Sequence, residues 1–167
     1  VNEASWIRAR GGLAEGICNQ RAQFVSLILG GCTDVPTRVC VLNSDSIGAY
    51  SWPDGKIFVT RGLVQRLTDE ELLAAIAHEM GHLVNDGHLR TIASLQGCTV
   101  SLDAESRADS TGAALLTSRG VSSIAMIAML QKVRNSPALD PVCREALGHR
   151  IEFLAAREKA KRAAGVN

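Results

Sequence analysis

The sequence has no apolar run approaching the ~20 residues that a membrane-spanning helix requires. Phe24 to Leu29 and Ile124 to Leu130 are only core-length segments, so the chain carries no membrane span and is read as soluble. No charge of one sign dominates either. Its 18 Lys and Arg stand against 17 Asp and Glu, interspersed, for a net charge of +1, which excludes a basic nucleic-acid-binding surface. The run Arg157, Lys159, Lys161, Arg162 reads as a solvated helix end. Cys-x-x-Cys spacing is absent among Cys18, Cys32, Cys40, Cys98 and Cys143, which argues against a zinc ribbon or a redox pair. These five remain as buried small hydrophobes or as members of one or two disulfides, with at least one unpaired. Repeats and low-complexity segments are missing, and no basic or apolar leader precedes Val1. A removed leader and an extracytoplasmic location are the expectation, with a cytoplasmic one as the alternative.

What is present is enough for one domain over residues 1–167, since 46% apolar composition can fill a core at this length. The expected fold class is α+β, mostly helical with a small antiparallel sheet of about three strands. Apolar positions Trp6, Leu13, Ile17, Ala22, Phe24, Val25 and Ile28 suggest one helix broken at Gly11-Gly12 and stopped at Gly30-Gly31. The β-branched stretch Thr37 to Leu42 reads as a strand. Ala49 to Trp52 and Lys56 to Thr60 read as a hairpin about Pro53-Asp54-Gly55. Helices follow: a short one over Arg61 to Leu67, a longer one after Thr68, then Asp103 to Ser118, one capped by Ser122 or Ser123 that runs to about Val133, and Arg144 to Ala164.

The helix after Thr68 organises the rest. Thr68 with Glu71 forms a capping box, and Asp69, Glu70 and Glu71 put negative charge in the first turn. Leu72, Leu73, Ala75, Ile76 and Leu83 then recur at helical spacing, while Ala74, Ala75, Ala77 and Gly81 keep the helix slim enough for close neighbours. On it lie His78-Glu79-Met80-Gly81-His82. Histidines four apart stand one turn apart on one face, so both imidazoles reach a single tetrahedral zinc ion, and Glu79 flanks the place of an activated water. Two helix histidines are ordinarily just satisfied polar groups; the glutamate between them favours a hydrolase.

A catalytic zinc takes three protein ligands, and two candidates compete for the third place. His88 gives the spacing of the metzincin peptidases, with Asn85 able to adopt the left-handed turn they need. Glu105 is the other. One turn beyond it on the same face, Asp109 could accept the spare ring N–H of a ligating histidine.

Several features appear in order over roughly residues 37 to 120: the strand Val39 to Asp45, the hairpin from Ala49-Tyr50 through Pro53 to Gly62, the run Leu67-Thr-Asp-Glu-Glu-Leu72, His78 to His82, and Glu105-x-x-Ala108-Asp109. In these the chain resembles the HtpX-like and CAAX-prenyl-protease type of zinc metallopeptidase, a gluzincin family. The resemblance implies one catalytic Zn2+ held by His78, His82 and Glu105, with Asp109 behind a histidine and Glu79 as general base. It departs from that pattern in places. Relatives often carry Asn-Ala-Phe-Ala where this chain has Gly48-Ala49-Tyr50-Ser51, so a side chain that could hold the substrate backbone is missing. His88 stands six residues after His82, whereas relatives place a histidine at five, and no role is carried over to it. His149-Arg150-Ile151 echoes a late motif, and either His149 or Arg150 is a candidate to steady the oxyanion.

The expected activity is endopeptidase cleavage of unfolded or flexible polypeptide, the substrate pairing with an open sheet edge at Gly48 to Ser51. The alternatives are a latent, self-inhibited peptidase, with the terminal helix as an available plug, or an idle metal domain serving as a binding or chaperone module.

Overall fold

The computed structural model describes residues 2–86, 93–95 and 101–166, with the backbone alone at 93 and 94. Helix α1 (Glu3–Arg8) starts at Asn2, whose side chain accepts from Ser5 N at 3.0 Å. Helix α2 (Ile17–Ser26) tightens into a 3-10 turn over Leu27–Leu29. The interruption between them is longer than the kink expected at Gly11-Gly12. There the chain runs along strand β1 (Arg38–Leu42), with Ala14 N donating to Val41 O and Asn43 N to Gly12 O, both at 2.8 Å. Gly11 is required at this crossing, because a Cβ on it would lie 2.2 Å from the Asn43 carbonyl oxygen. The outer edge of β1 is thereby covered.

Strands β2 (Ala49–Ser51) and β3 (Lys56–Thr60) form the expected hairpin, closed by Trp52 N to Lys56 O at 2.7 Å with Gly55 at φ 96°. The expectation of an all-antiparallel sheet is corrected. The sheet is mixed and four-stranded in the order β1-β3-β2-β4, with β1 parallel to β3 and β4 formed by Ala93–Ser94. The cause is the polar stretch after β1, which does not turn back as a hairpin but crosses the end of β3. Thr60 Oγ1 donates to Ser46 O at 2.6 Å and accepts from Gly48 N at 3.1 Å, and Gly62 N donates to Ser44 O at 3.0 Å. The expected open edge at Gly48 to Ser51 is corrected as well: β4 lies antiparallel along the outer side of β2, pairing Tyr50 with Ser94 and Ser51 with Ala93.

Alternation sorts the sheet's two faces. Phe58 and Leu42 pack with Trp6 and Trp52 beneath α1, while Val39, Val41, Ala49, Ile57 and Val59 join the main core. That core surrounds α4 (Asp69–Asp86), which follows the short helix α3 (Arg61–Arg66). The predicted capping box is present: Thr68 N donates to Glu71 Oε1 at 2.8 Å, and Glu71 N to Thr68 Oγ1 at 3.3 Å. Where a single buried face was expected, α4 is buried on every side from Glu71 to Leu83. The sheet lies on one flank, α5 (Leu102–Ser118) and α6 (Ile124–Arg134) on the others. Fully buried Leu72, Leu73 and Ile76 each contribute about 1.5–3 kcal/mol of hydrophobic stabilisation. Helix α7 (Pro141–Ala163) begins three residues before the expected Arg144, because Asp140 caps it and Pro141 suits a first helical turn.

Mostly helical with a small sheet, the fold is α+β, as the sequence indicated, and is compatible with a zincin-like fold. Among the described residues no helix is long and apolar enough to cross a membrane. Cys18, Cys32 and Cys40 are free thiols and Cys143 is disulfide-bonded; Cys98 and His88 lie outside the described residues.

Candidate metal centre

Two helices bring the centre together. On α4, His78 and His82 stand one turn apart with ring centroids 4.7 Å apart and ring planes at 90°. On α5, the i, i+4 relation puts Glu105 and Asp109 on the face turned to those rings. The helices approach closely because small residues line their seam. A Cβ on Gly81 would meet Ala108 O at 2.5 Å, and one on Gly112 would meet Ala77 backbone atoms at 3.0 Å.

Across that seam His78 Nε2 is 3.3 Å from Glu105 Oε2, and His82 Nε2 is 3.3 Å from Glu105 Oε1. One ligand atom from each of the three residues falls within 4.8 Å of the others. All are buried: His78 and Glu105 are 0% exposed and His82 is 3%. Among the described residues, both Nε2 atoms, both Glu105 oxygens and both Glu79 oxygens lack a hydrogen-bond partner. Buried polar atoms are rarely left so, and those of His78, His82 and Glu105 lie close enough together to form a cradle for a cation. Two imidazole nitrogens and one carboxylate suit a borderline-soft divalent ion such as zinc.

A second layer orients the first. His78 Nδ1 lies 2.7 Å from Asp109 Oδ1, an arrangement in which Nδ1–H donates and the Nε2 lone pair faces the cradle. His82 Nδ1 lies 3.4 Å from Asp86 Oδ2, and Asp86 in turn is 3.3 Å from Arg107. Burial alone would depress the His78 pKa, but the Asp109 charge and hydrogen bond, with Glu105, outweigh it and raise it to about 9. Burial pushes Glu105 up, while its contacts with both histidines and the Arg150 charge carry it down to about 2. Asp109 is held well below the usual carboxylate range against its burial, chiefly by Arg150. Glu79 moves the other way. Wholly buried, it is raised by desolvation, with the charges of His78 and His82 opposing the shift. A carboxyl raised in this manner takes up a proton more readily.

Residues 30–133 match the sequence model of peptidase family M48. The chain belongs to that family. No curated protein matches it. An M48 peptidase is a hydrolase, and the matched stretch contains His78, Glu79, His82, Glu105 and Asp109.

The structure thus brings together His78, Glu79, His82, Glu105 and Asp109 from the sequence reading, with Arg150 beside them, and leaves others apart. His149 projects outward from α7 with its side chain 57% exposed, and Glu145 and Glu152 of the same helix each lie 3.9 Å from it. Arg150, its neighbour in sequence, points inward and is buried. In β2, Tyr50 packs edge-on against Trp6 at 5.2 Å, whereas Ser51 is 3% exposed and sits on the α4 face near Glu79. Asn85 is helical rather than at a left-handed turn, and its Nδ2 donates to Thr111 Oγ1 of α5 at 2.9 Å.

Sequence reading missed Asp86, although its place four residues after His82 was a usable signal. It also missed Leu95, which is 0% exposed and donates its N–H to Ala49 O at 2.9 Å. No local pattern announced that contact.

Proposed function

We propose that residues 1–167 of this M48 chain form one zinc endopeptidase domain, which hydrolyses peptide bonds in unfolded or flexible polypeptides. The observation that carries the reading is the convergence of buried ligand atoms from His78, His82 and Glu105 within 4.8 Å of one another, with neither histidine Nε2 hydrogen-bonded among the described residues. His78, His82 and Glu105 would hold the ion. Zinc bound there supplies Lewis-acid activation of water and of the scissile carbonyl. Glu79 takes the proton released by the attacking water and returns it to the leaving amine nitrogen. Its desolvated surroundings raise its basicity for the first transfer. Asp109 holds His78 in the tautomer that presents Nε2.

The test is Glu79→Gln. The variant should retain zinc at wild-type stoichiometry and lose about 10²–10⁴-fold in its rate of casein cleavage. Undiminished cleavage would refute the assignment.

A second reading, that the chain is latent, is favoured by one observation. Strand β4 runs along the side of β2 where an extended substrate would pair, and Leu95 is fully buried beyond it. The terminal helix is not the plug in this reading, since its last turns are exposed and Glu158 is engaged by Ser123 at 2.5 Å. In a latent enzyme, Leu95→Gly should speed casein cleavage by the zinc-loaded chain. A folded variant no faster than wild type would count against latency.

A further inference from the structure

Helix α7 lies beyond the matched M48 stretch, yet it sends one buried cation into the centre. Arg150 is 1% exposed. Its Nε donates to Asp109 Oδ2 and its Nη2 to Asp109 Oδ1, both at 2.8 Å, in a two-pronged fork. Nη1 donates to the Leu95 carbonyl at 2.9 Å and lies 3.2 Å from Glu105 Oε2. Nη2 also lies 3.3 Å from His78 Nδ1. The guanidinium therefore touches the carboxylate that would hold the metal, the carboxylate that orients His78, and His78 itself. Its donors are directed at these partners and at Leu95, so the oxyanion role read from the sequence does not suit it.

Two buried carboxylates on one helix face repel each other, and neither is stable as an anion without a nearby positive charge. Arg150 supplies that charge from outside α4 and α5. The fork also determines orientation. With both Asp109 oxygens held, Oδ1 is directed at His78 Nδ1, and the Nη1 contact limits how far Glu105 can swing.

We propose that Arg150 is the positioning residue of the metal centre: through Asp109 and Glu105 it builds the ligand geometry before a metal arrives. This inference rests on the zinc-peptidase reading above. Lysine would restore the charge but not the planar fork, so the two contributions can be separated.

The experiment uses the full chain as wild type, Arg150→Lys and Arg150→Gln. Zinc affinity is measured by competition with a chromogenic chelator, and ligand geometry by the visible d–d absorption of the Co2+-loaded protein. Expected is zinc binding about 10–100-fold weaker for Arg150→Gln, a smaller loss for Arg150→Lys, and a cobalt spectrum altered in both. A purely structural ion pair would lower thermal stability while leaving cobalt spectrum and zinc affinity unmoved in folded protein, and that result overturns the proposal. Should Arg150→Gln not fold, Arg150→Lys decides: weakened zinc binding with a changed spectrum supports positioning, and wild-type values refute it. A wild-type chain that takes up neither metal sinks the zinc-peptidase reading and this inference with it. Wild-type uptake with unchanged variants sinks this inference alone.

Discussion

Gly81 of α4 and Ala108 of α5 meet backbone to backbone: a methyl group added at Gly81 would lie 2.5 Å from the Ala108 carbonyl oxygen and 2.9 Å from its Cα. Those atoms belong to a helix and cannot move aside alone. Glu105 sits one turn before Ala108 on the same helix, and His82 directly follows Gly81. The seam therefore sets the separation between imidazole and carboxylate.

Gly81→Ala should force α4 and α5 apart, costing about 1–3 kcal/mol of stability by overpacking. A displacement of about 1 Å between ligand helices should lower kcat/KM on casein by about 10²-fold. Thermal melts and steady-state kinetics on the zinc-loaded variant check both. Full activity at unchanged stability would mean that the seam has slack.

The identity of the third ligand is tested by metal content. Glu105→Ala should lose bound zinc on dialysis, while His88→Ala should retain it. Adding a chelator to wild type should lower its Tm, because the metal binds only the folded arrangement. Zinc lost from the His88 variant alone would move the chain to the other ligand set.

Glu71 couples the motif helix to pH. Against its burial, the Lys132 ammonium at 2.5 Å and the Thr68 amide hold its carboxyl below the ordinary 4.5. A folded-state pKa lower than the unfolded one stabilises the protein above the unfolded value, and that contribution fades as pH falls through the folded value. Glu71→Gln should thus be less stable than wild type by about 1 kcal/mol above pH 4.5. The gap should close on acidification. Melting curves from neutral to acid pH would show it, and a gap of constant size would exclude Glu71 as the source.

Much of this was written locally. Thr68 with Glu71 starts α4, the repeating apolar positions keep it helical, and spacing of four places His78 above His82 and Glu105 above Asp109. Each of those relations lies within one helix, so backbone geometry alone enforces it. Order along the chain could not reveal that β1 joins β3 in parallel, because the choice between a hairpin and a crossing depends on Thr60 and Gly62 receiving the loop after β1. Nor could it reveal that β4 covers β2.

Arg150 shows the division most sharply. His149 and Arg150 are adjacent, both polar and both candidates by sequence, yet one faces solvent and the other lies against Asp109. The sequence by itself determined how the candidate residues are spaced within each helix. Only the tertiary structure decided which of them meet. Contact between α4, α5 and α7 depends on small residues letting backbones touch and on buried charges finding partners distant in the chain.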